Sequence, residues 1–403
     1  MNYYVSKGKA CGRINAPASK SVAHRMLIAA AMCQNESKIE GLPACEDVLA
    51  TIDCLRAFGV KIDLDGNSAS VYGVDFTKAN PQGVLNCRES GSTLRFLIPL
   101  AMLSGNEVTF VGSERLMERP QSIYERIAKE EGYTFIRKKD SITVKGPLRV
   151  GEYFIDGNVS SQFITGLIFA FSTMYGDTRI IFNTPIESRP YVDITFSVME
   201  KFGVRVYCDT DWSFLSFGGQ EYKPVSLTVE GDWSGAAFIE ALNLLGGDVT
   251  IDNLDMASVQ GDRICLDYFK QLKNGYAELD ISNCPDLGPI LFTMAAAHHG
   301  AKFVGTRRLR DKESDRISTM KHELQKFGAN LIVEDNAVTV RKTELHSPTE
   351  RLCGHNDHRI VMSLAVLCTL YGGEIEGCEA VNKSYPSFFE NIKQLGIDVY
   401  EIN

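Results

Sequence analysis

The most constraining feature of this sequence is a short pattern that occurs six times. In each copy a helical run ends in a bulky residue plus glycine, and an alternating strand follows, as in 55–62 and 199–206. A glycine in this place is suited to the left-handed residue that ends a helix. The six glycines are Gly59, Gly132, Gly203, Gly275, Gly328 and Gly396. Their spacing, near 70 residues in four of five intervals, is too long for a solenoid repeat and predicts a complete supersecondary unit.

Each copy also predicts a hairpin, because the strand leads into a turn and a second strand. Such turns occur at 65–67, 139–140 and 334–336. Between the hairpins lie helices that are apolar nearly all round, and we therefore expect them to be buried; they are 92–103, 160–174, 233–245, 286–299 and 357–371. The interval of 53 residues between Gly275 and Gly328 indicates a shortened fifth unit.

These units predict an α/β protein of two similar domains, each with three units, helices inside and sheets outside. A chain of 403 residues is long enough for about two domains. The polar stretch 220–227 lies midway along the repeats and is the best-placed boundary. We assign 1–14 together with 228–403 to one discontinuous domain and 15–227 to the other, with the active site in the cleft between them.

Composition narrows the class of protein. The net charge of −9 argues against a general nucleic-acid-binding surface but allows a local basic cleft. The start, Met1–Lys7, lacks the pattern of a signal peptide, and no run approaches 18 apolar residues. The eleven cysteines are scattered without a C-x-x-C pair, which is typical of reduced thiols. We expect a cytoplasmic monomer with neither a membrane nor a nucleic acid as partner.

The segment Pro17–Arg25 combines small residues, serines and Lys20 directly before the apolar run Met26–Met32. A helix that begins here points unpaired N–H groups and the positive end of its dipole at whatever faces it. Together with Lys20 and Arg25, such a start is suited to binding a phosphate or carboxylate. The spacing is not that of a P-loop, and an ordinary capped helix is the alternative interpretation.

Similar polar helix starts recur along the chain, and their repetition favours function over simple capping. Helix starts of successive units should share one end of the fold, so their donors would converge on one cleft. Most of these donors are Lys, Arg and Ser, which predicts a strongly anionic ligand. The candidate acid–base groups among them are Asp286 and Glu313, with a lysine as proton carrier.

The ordered set of these motifs resembles the 5-enolpyruvylshikimate-3-phosphate synthase family over essentially the whole chain. The matching pieces are Ser19-Lys20-Ser21 with Arg25, 91–95, Arg115 with 118–120, 160–162, Ser188 with 190–191, 230–232, 285–286, 312–316, 357–359 and Lys383. The resemblance implies an enolpyruvyl transferase-like inside-out α/β barrel that agrees with the six repeats. It also implies transfer of the enolpyruvyl group of phosphoenolpyruvate to the 5-hydroxyl of shikimate 3-phosphate, with no metal or cofactor.

The resemblance further implies roles for individual residues. The catalytic set is Asp286, Glu313 and Lys20. The shikimate 3-phosphate set is Lys20, Ser21, Arg25, Ser160, Ser161, Gln162, Ser188, Tyr191, Asp286 and Lys312. The phosphoenolpyruvate set is Lys20, Gly91, Arg115, Gln162, Arg316, Arg359 and Lys383. The residues around 91–96 would also set the response to glyphosate, the family's inhibitor. Two departures from the family, Arg308 and Asp311, lie beside Lys312.

Three alternatives stand beside this interpretation. The sister enzyme that acts on UDP-N-acetylglucosamine carries Lys-Asn at the first motif and a cysteine in its mobile loop, whereas Ser21 follows Lys20 here and 112–120 has no cysteine. A non-catalytic anion-binding protein on the same fold is opposed by the intact acid–base residues. A metal site at 353–358 has suitable residue types, but a fourth ligand is not apparent.

Overall fold

A computed structural model of the protein describes residues 1–81 and 83–402. The chain forms two compact units. The discontinuous unit consists of Met1–Ser19 and Glu230–Asn403, and the continuous unit consists of Lys20–Val229. In the described part of the chain, no helix is both long and apolar enough to cross a membrane.

The helices and strands follow one another in a regular alternation. The first segment contains β1 (Asn2–Val5) and β2 (Cys11–Asn15). The continuous unit contains α1 (Lys20–Ala31), β3 (Glu36–Glu40), α2 (Glu46–Ala57), β4 (Lys61–Asp65), β5 (Ser68–Tyr72), β6 (Val84–Asn86), α3 (Gly91–Ala101), β7 (Val108–Val111), α4 (Glu114–Glu118), α5 (Ser122–Glu131), β8 (Thr134–Arg137), β9 (Ser141–Lys145), β10 (Glu152–Asp156), α6 (Ser161–Phe171), β11 (Thr178–Thr184), α7 (Arg189–Lys201), β12 (Tyr207–Cys208), β13 (Phe214–Phe217) and β14 (Ser226–Thr228).

The second segment of the discontinuous unit continues the alternation. It contains α8 (Trp233–Leu244), β15 (Asp248–Asp252), α9 (Cys265–Asn274), β16 (Ala277–Asp280), α10 (Gly288–Ala297), β17 (Ala301–Val304), α11 (Arg316–Gln325), β18 (Asn330–Val333), β19 (Ala337–Arg341), β20 (Leu352–Cys353), α12 (His358–Tyr371), β21 (Gly373–Glu376), α13 (Phe388–Gln394) and β22 (Val399–Ile402). Short 3₁₀ helices occur at Gly261–Ile264, Pro285–Leu287, Arg307–Asp311 and Cys378–Lys383.

Five four-stranded sheets share one topology. A parallel pair comes first, and two antiparallel pairings complete each sheet. Their strand orders are β14-β3-β5-β4, β6-β7-β9-β8, β10-β11-β13-β12, β16-β17-β19-β18 and β20-β21-β1-β22. The predicted hairpins at 65–67, 139–140 and 334–336 are confirmed as β4–β5, β8–β9 and β18–β19. In the last sheet β1, from the start of the chain, pairs between β21 and β22.

The sixth sheet is the exception, and it corrects the prediction of a shortened fifth unit. It has only two strands, β2 and β15, which pair in parallel. After α9 the chain enters β16, which already belongs to the next sheet, so the missing piece is the hairpin of the fourth unit. Gly275, which follows α9, is accordingly extended at φ 163°. The other five glycines have φ between 75° and 92° and end their helices as predicted.

The predicted buried helices are confirmed. Nearly every residue of α3, α6, α8, α10 and α12 is buried, whereas strands such as β9 and β10 alternate between buried and less buried positions. The predicted helix 286–299 begins with the 3₁₀ turn Pro285–Leu287 before α10. Helices that are apolar on all faces need cover on all faces, and the sheets of each unit supply it. The arrangement brings the N-terminal ends of the helices, with their polar residues, to the edge of each core.

Gly166 marks the closest approach of α6 to α3. A Cβ atom built on Gly166 would lie 2.3 Å from the carbonyl oxygen of Arg95 in α3. The same carbonyl oxygen accepts a hydrogen bond of 2.6 Å from the hydroxyl of Tyr124. Backbone and a buried tyrosine therefore occupy the space that any larger residue would need.

We predict that Gly166→Ala destabilises the protein by about 3 kcal/mol, because overpacking of this kind forces a backbone shift. Alanine normally stabilises a helix by about 1 kcal/mol relative to glycine, so the expected sign is opposite to that of helix propensity. Urea denaturation followed by circular dichroism measures the change. The control is Glu130→Ala on the exposed side of α5, which should change the free energy of unfolding by less than about 0.5 kcal/mol. A stabilised Gly166→Ala would refute the close approach.

Candidate active site

The discontinuous unit contains a buried guanidinium that bonds three carboxylates. The side chain of Arg316 is only 1% exposed. Its Nε donates to Asp357 Oδ2 at 2.9 Å, and its Nη2 donates to Glu313 Oε2 at 2.7 Å. Its Nη1 donates to Asp286 Oδ1 at 3.0 Å. A buried arginine is stable only with such compensation, because an unpaired buried charge is costly.

Helix starts bring these four groups together. Arg316 is the first residue of α11, whose N-cap Asp315 accepts from the backbone N–H groups of Ile317 and Ser318. Asp357 is the N-cap of α12 and accepts from the N–H of Arg359 at 2.9 Å. Asp286 lies in the 3₁₀ turn that leads into α10. Carboxylates at helix N-termini are favoured by the helix dipole, and here they also neutralise one another's guanidinium.

Asp286 is surrounded by cations. Besides Arg316, Lys312 Nζ lies 3.3 Å from Asp286 Oδ1, and Arg359 Nη2 donates to Oδ2 at 2.9 Å. The same Nη2 of Arg359 donates to the hydroxyl oxygen of Ser234 at 3.1 Å. Lys383, 8% exposed, donates its Nζ proton to the carbonyl oxygen of Asn356. This set contains four cations and three carboxylates, so it can accept an anion.

Burial and charge shift three pKa values in this cluster. Burial alone would lower the pKa of Arg316, but Asp357, Glu313 and Asp286 raise it above the ordinary value. Burial likewise opposes ionisation of Asp357, yet Arg316 holds the pKa of that carboxyl below its usual range. Burial, together with the charges of Arg316 and Arg308, lowers the pKa of Lys312 to about 8 against the attraction of Asp286 and Glu313.

The continuous unit has its own cluster, built around the start of α3. Ser90 caps this helix through a bond from the N–H of Thr93 at 3.1 Å. A Cβ atom on Gly91 would lie 2.5 Å from Nη1 of Arg119. Arg119 is 4% exposed, and its Nε has no hydrogen-bond partner among the described residues. Gly91 thus leaves the room that lets this guanidinium lie against the helix start.

Two further contacts connect the starts of α3 and α6. Arg95 Nη1 donates to Gln162 Oε1 at 2.7 Å, and Gln162 Nε2 donates to Ser92 Oγ at 3.1 Å. Arg95 also stacks on the ring of Phe163, 4.6 Å from its centroid. Ser160 caps α6 by accepting from the N–H of Gln162. The amide of Gln162 is therefore held in one orientation from both sides.

Arg25 and Lys20 of α1 make different kinds of contact. Arg25 is 2% exposed and donates to Thr195 Oγ1 at 2.8 Å, to Ser21 O at 2.7 Å and to Tyr191 O at 2.9 Å. Burial lowers its pKa to about 9, so it stays charged at neutral pH. Lys20 Nζ lies 2.8 Å from Asp47 Oδ2. Arg25 thus connects α1 to α7, whereas Lys20 forms an ion pair near the surface.

The remaining predicted residues occupy distinct places. Ser188 is 2% exposed and precedes α7 in a left-handed conformation, φ 55°, which is uncommon for a residue with a side chain. Ser161 opens α6 and is 6% exposed. The side chain of Arg115 is 42% exposed, and its Nη1 lies 4.0 Å from Glu118 Oε2. Arg115 therefore lies on the outer side of α4, unlike Arg119.

Comparison with known proteins agrees with this arrangement. The family model described as EPSP synthase (3-phosphoshikimate 1-carboxyvinyltransferase) matches residues 6–392. The chain belongs to the EPSP synthase family. Two relatives, both described as 3-phosphoshikimate 1-carboxyvinyltransferase, come from Clostridium kluyveri and Clostridium perfringens. They are 38% and 35% identical to this chain, over 97% of it and 96% and 97% of their own lengths.

Solved structures show the same fold. An EPSP synthase from Acinetobacter baumannii aligns with a TM-score of 0.80 at 20% identity, covering 100% of both chains. The enolpyruvyl transferase NikO from Streptomyces tendae aligns with a TM-score of 0.78 at 14% identity, over 99% of this chain and 98% of that one. The predicted two-domain α/β fold of the EPSP synthase family is confirmed.

Sequence reasoning assigned no role to two residues that the structure brings to the centre of these clusters. Arg119 stands in the motif 118–120, but its spacing does not distinguish it from Arg115. Asp357 stands in the motif 357–359, and only the structure shows its bond to Arg316. A pair of arginines before Pro120 was a usable signal for Arg119, since a residue before proline favours an extended conformation. Arg119 has that conformation, φ −61° and ψ 138°.

The alternative metal site at 353–358 is not assembled. Asp357 accepts bonds from Arg316 and from the hydroxyl of Ser314 at 3.0 Å. Within the described residues, the one cluster of His, Cys, Asp and Glu with metal-ligand geometry is His322, Glu323 and His355. Of the sequence candidate only His355 belongs to that cluster.

We predict that Asp357→Asn lowers the free energy of unfolding by about 3 kcal/mol or more, because it weakens the neutralisation of a buried arginine. Thermal and urea unfolding measure the loss. The control is Glu278→Gln, which removes the exposed ion pair between Glu278 and Lys302 and should cost less than about 1 kcal/mol. Equal effects of the two substitutions would contradict the central role of Asp357.

Proposed function

We propose that this chain transfers the enolpyruvyl group of phosphoenolpyruvate to the 5-hydroxyl of shikimate 3-phosphate and releases phosphate. The observation that carries the proposal is the arrangement of Lys312, Arg316 and Arg359 around Asp286, with Glu313 on the same guanidinium. Cations that recruit anionic substrates thus lie beside two carboxylates that can exchange protons. The membership of the family and the near full-length relatives support the same reaction.

The chemistry explains why two carboxylates are needed. The 5-hydroxyl is a weak nucleophile, and the enol carbon of phosphoenolpyruvate becomes electrophilic only when its methylene carbon is protonated. One group must protonate that carbon while another accepts the hydroxyl proton. The tetrahedral adduct then loses phosphate as the methylene gives up a proton. We assign these transfers to Asp286 and Glu313, with Lys20 as an additional proton carrier.

Phosphoenolpyruvate would be bound by cations of both clusters. We assign Arg316, Arg359 and Lys383 to it from the discontinuous unit, and Lys20, Gly91 and Gln162 from the continuous unit. We also assign Arg119, in place of Arg115, to its charged groups. The reason is geometric, because Arg119 is buried beside the N–H groups that open α3. Arg115 is largely exposed and lies near Glu118.

Shikimate 3-phosphate would be bound by hydroxyl and amide groups that the helix starts already orient. These residues are Lys20, Ser21, Arg25, Ser160, Ser161, Gln162, Ser188, Tyr191, Asp286 and Lys312. Ser160 and Ser161 stand where α6 presents its unpaired N–H groups and positive dipole, a favourable place for a phosphate. Arg25 spends most of its donors on α1 and α7, so we assign it to positioning Ser21 and Tyr191.

The deciding experiment measures phosphate release from purified protein with shikimate 3-phosphate and phosphoenolpyruvate, without added metal. The same assay is run with Glu313→Gln and with UDP-N-acetylglucosamine as acceptor. Turnover with shikimate 3-phosphate alone, reduced at least about a hundredfold in the variant, supports the proposal. Turnover with the sugar nucleotide would assign the chain to the sister reaction. Absence of turnover with either acceptor would refute the catalytic proposal.

We predict that Arg119→Met raises the KM for phosphoenolpyruvate by about 10- to 100-fold, since a hydrogen bond to a charged group contributes about 1.5–3 kcal/mol. Arg115→Met is the matched control, because it removes an equal charge four residues away, and it should change KM less than about threefold. Steady-state kinetics with phosphoenolpyruvate as the varied substrate measures both. The reverse order of effects would favour the sequence-based assignment of Arg115.

We predict that Gly91→Ala raises the KM for phosphoenolpyruvate more than the KM for shikimate 3-phosphate. The new methyl group would meet the guanidinium of Arg119 at 2.5 Å and displace it. The two KM values are measured separately at saturating co-substrate. An unchanged KM for phosphoenolpyruvate would remove Gly91 from the binding set.

We predict that kcat/KM for shikimate 3-phosphate falls above pH 8, because the pKa of Lys312 in the free protein is about 8. Below this pH Lys312 is charged and attracts phosphate, and above it the charge is lost by about tenfold for each pH unit. The pH profile of kcat/KM reports groups of the free enzyme. Lys312→Arg should shift the alkaline fall upward, since a guanidinium stays protonated. An identical profile in the variant would assign the fall to another group.

A further inference from the structure

A second cluster of titratable groups lies at the other side of α11, apart from the residues assigned to substrates. Its centre is Glu323, whose side chain is 0% exposed. Glu323 Oε1 lies 2.9 Å from His322 Nδ1 and 2.8 Å from His355 Nε2. The side chain of His322 is 64% exposed and that of His355 is 31% exposed. Solvent therefore reaches the imidazoles, whereas the carboxylate is enclosed.

The other oxygen of Glu323 is fixed by two donors. Oε2 lies 3.0 Å from Lys326 Nζ and accepts from the backbone N–H of Cys353 at 2.9 Å. Lys326 also donates to the carbonyl oxygen of Arg351 at 2.9 Å. The carboxylate is therefore oriented so that only Oε1 faces the two imidazoles. Supporting hydrogen bonds of this kind orient the ligating carboxylates of metal sites.

The ionisation of Glu323 suits a ligand. Burial would raise its pKa, but the bonds from His355, Cys353, His322 and Lys326 lower it to about 2. The carboxylate is thus available as an anion throughout the neutral range, and neutral imidazole is available above its ordinary pKa of about 6.5.

We propose that His322 Nδ1, Glu323 Oε1 and His355 Nε2 bind a divalent transition metal of the zinc type. Two imidazole nitrogens and one carboxylate oxygen form a common zinc ligand set that leaves a position for water. The three atoms lie within 4.8 Å of one another. Tetrahedral ligands at about 2.0–2.1 Å from zinc are about 3.4 Å apart, so the two imidazoles must open by about half an ångström. His322, which is exposed, has room for that movement.

This site goes beyond the proposed function, because it involves no substrate-binding residue. It would connect α11 to the segment that precedes α12. In this segment His355 and Asn356 both have positive φ, 48° and 52°, and the carbonyl oxygen of Asn356 accepts from Lys383. A metal at His355 would therefore stabilise a strained segment and raise the melting temperature of the protein.

The test is titration of metal-free protein with Co²⁺, followed by visible absorption, and with Zn²⁺, followed by calorimetry. One equivalent should bind with an N/O-type cobalt spectrum, and the melting temperature should rise with added Zn²⁺. Affinity should fall as the pH drops below about 6.5, because protons compete for the imidazoles. His322→Gln should weaken binding at least about tenfold and, being exposed, should fold normally.

The matched control is His346→Gln, an exposed histidine of the same unit whose Nδ1 contacts the carbonyl oxygen of Ser347. It should leave the affinity unchanged. Binding that survives both His322→Gln and His355→Gln, or a sulfur-to-cobalt band from cysteine ligation, would overturn the proposal. Absence of one-equivalent binding would show that the cluster is held by protons alone. Turnover of shikimate 3-phosphate is measured separately, so failure of the metal site is distinguishable from failure of the proposed reaction.

Discussion

The bonds of Arg316 to Asp286, Glu313 and Asp357 hold the chemistry of the discontinuous unit together. A guanidinium with 1% exposure needs this compensation, because desolvating a charge costs several kcal/mol. In return its planar, branched donors fix the positions of three carboxylates at once. The two carboxylates proposed for proton transfer are therefore placed by the same group that makes the cluster electrically acceptable in the interior.

The repeated unit explains why such groups accumulate at one place in each domain. Helices that are apolar on all faces fill the cores, so their polar residues are confined to the ends. Ser90, Ser160 and Asp357 cap three of these helices. The caps satisfy some N–H groups, and the dipole of each helix adds positive potential. A protein with a net charge of −9 thereby concentrates positive groups where an anionic substrate is needed.

The two clusters use arginine in two ways. Arg25 and Arg316 donate mostly to protein oxygens and so fix the surrounding helices. Arg119 lies against a glycine at a helix start, and its Nε has no partner in the described part of the chain. Burial of a guanidinium that is incompletely bonded is costly and is more readily explained by a ligand than by stability. Residue type alone therefore does not separate arginines that hold the fold from those that bind.

The sequence by itself determined the repeated α/β architecture and the family, because both depend on local patterns. Apolar faces, helix-ending glycines and hairpin turns act within a few residues, and the ordered motifs lie at readable positions. The tertiary structure alone decided which unit lacks its hairpin, where β1 pairs, and which of Arg115 and Arg119 is buried. These depend on contacts between residues far apart in the chain, such as Gly91 with Arg119 and Arg316 with Asp357. Spacing along the chain carries no record of which side chain the packed core excludes from water.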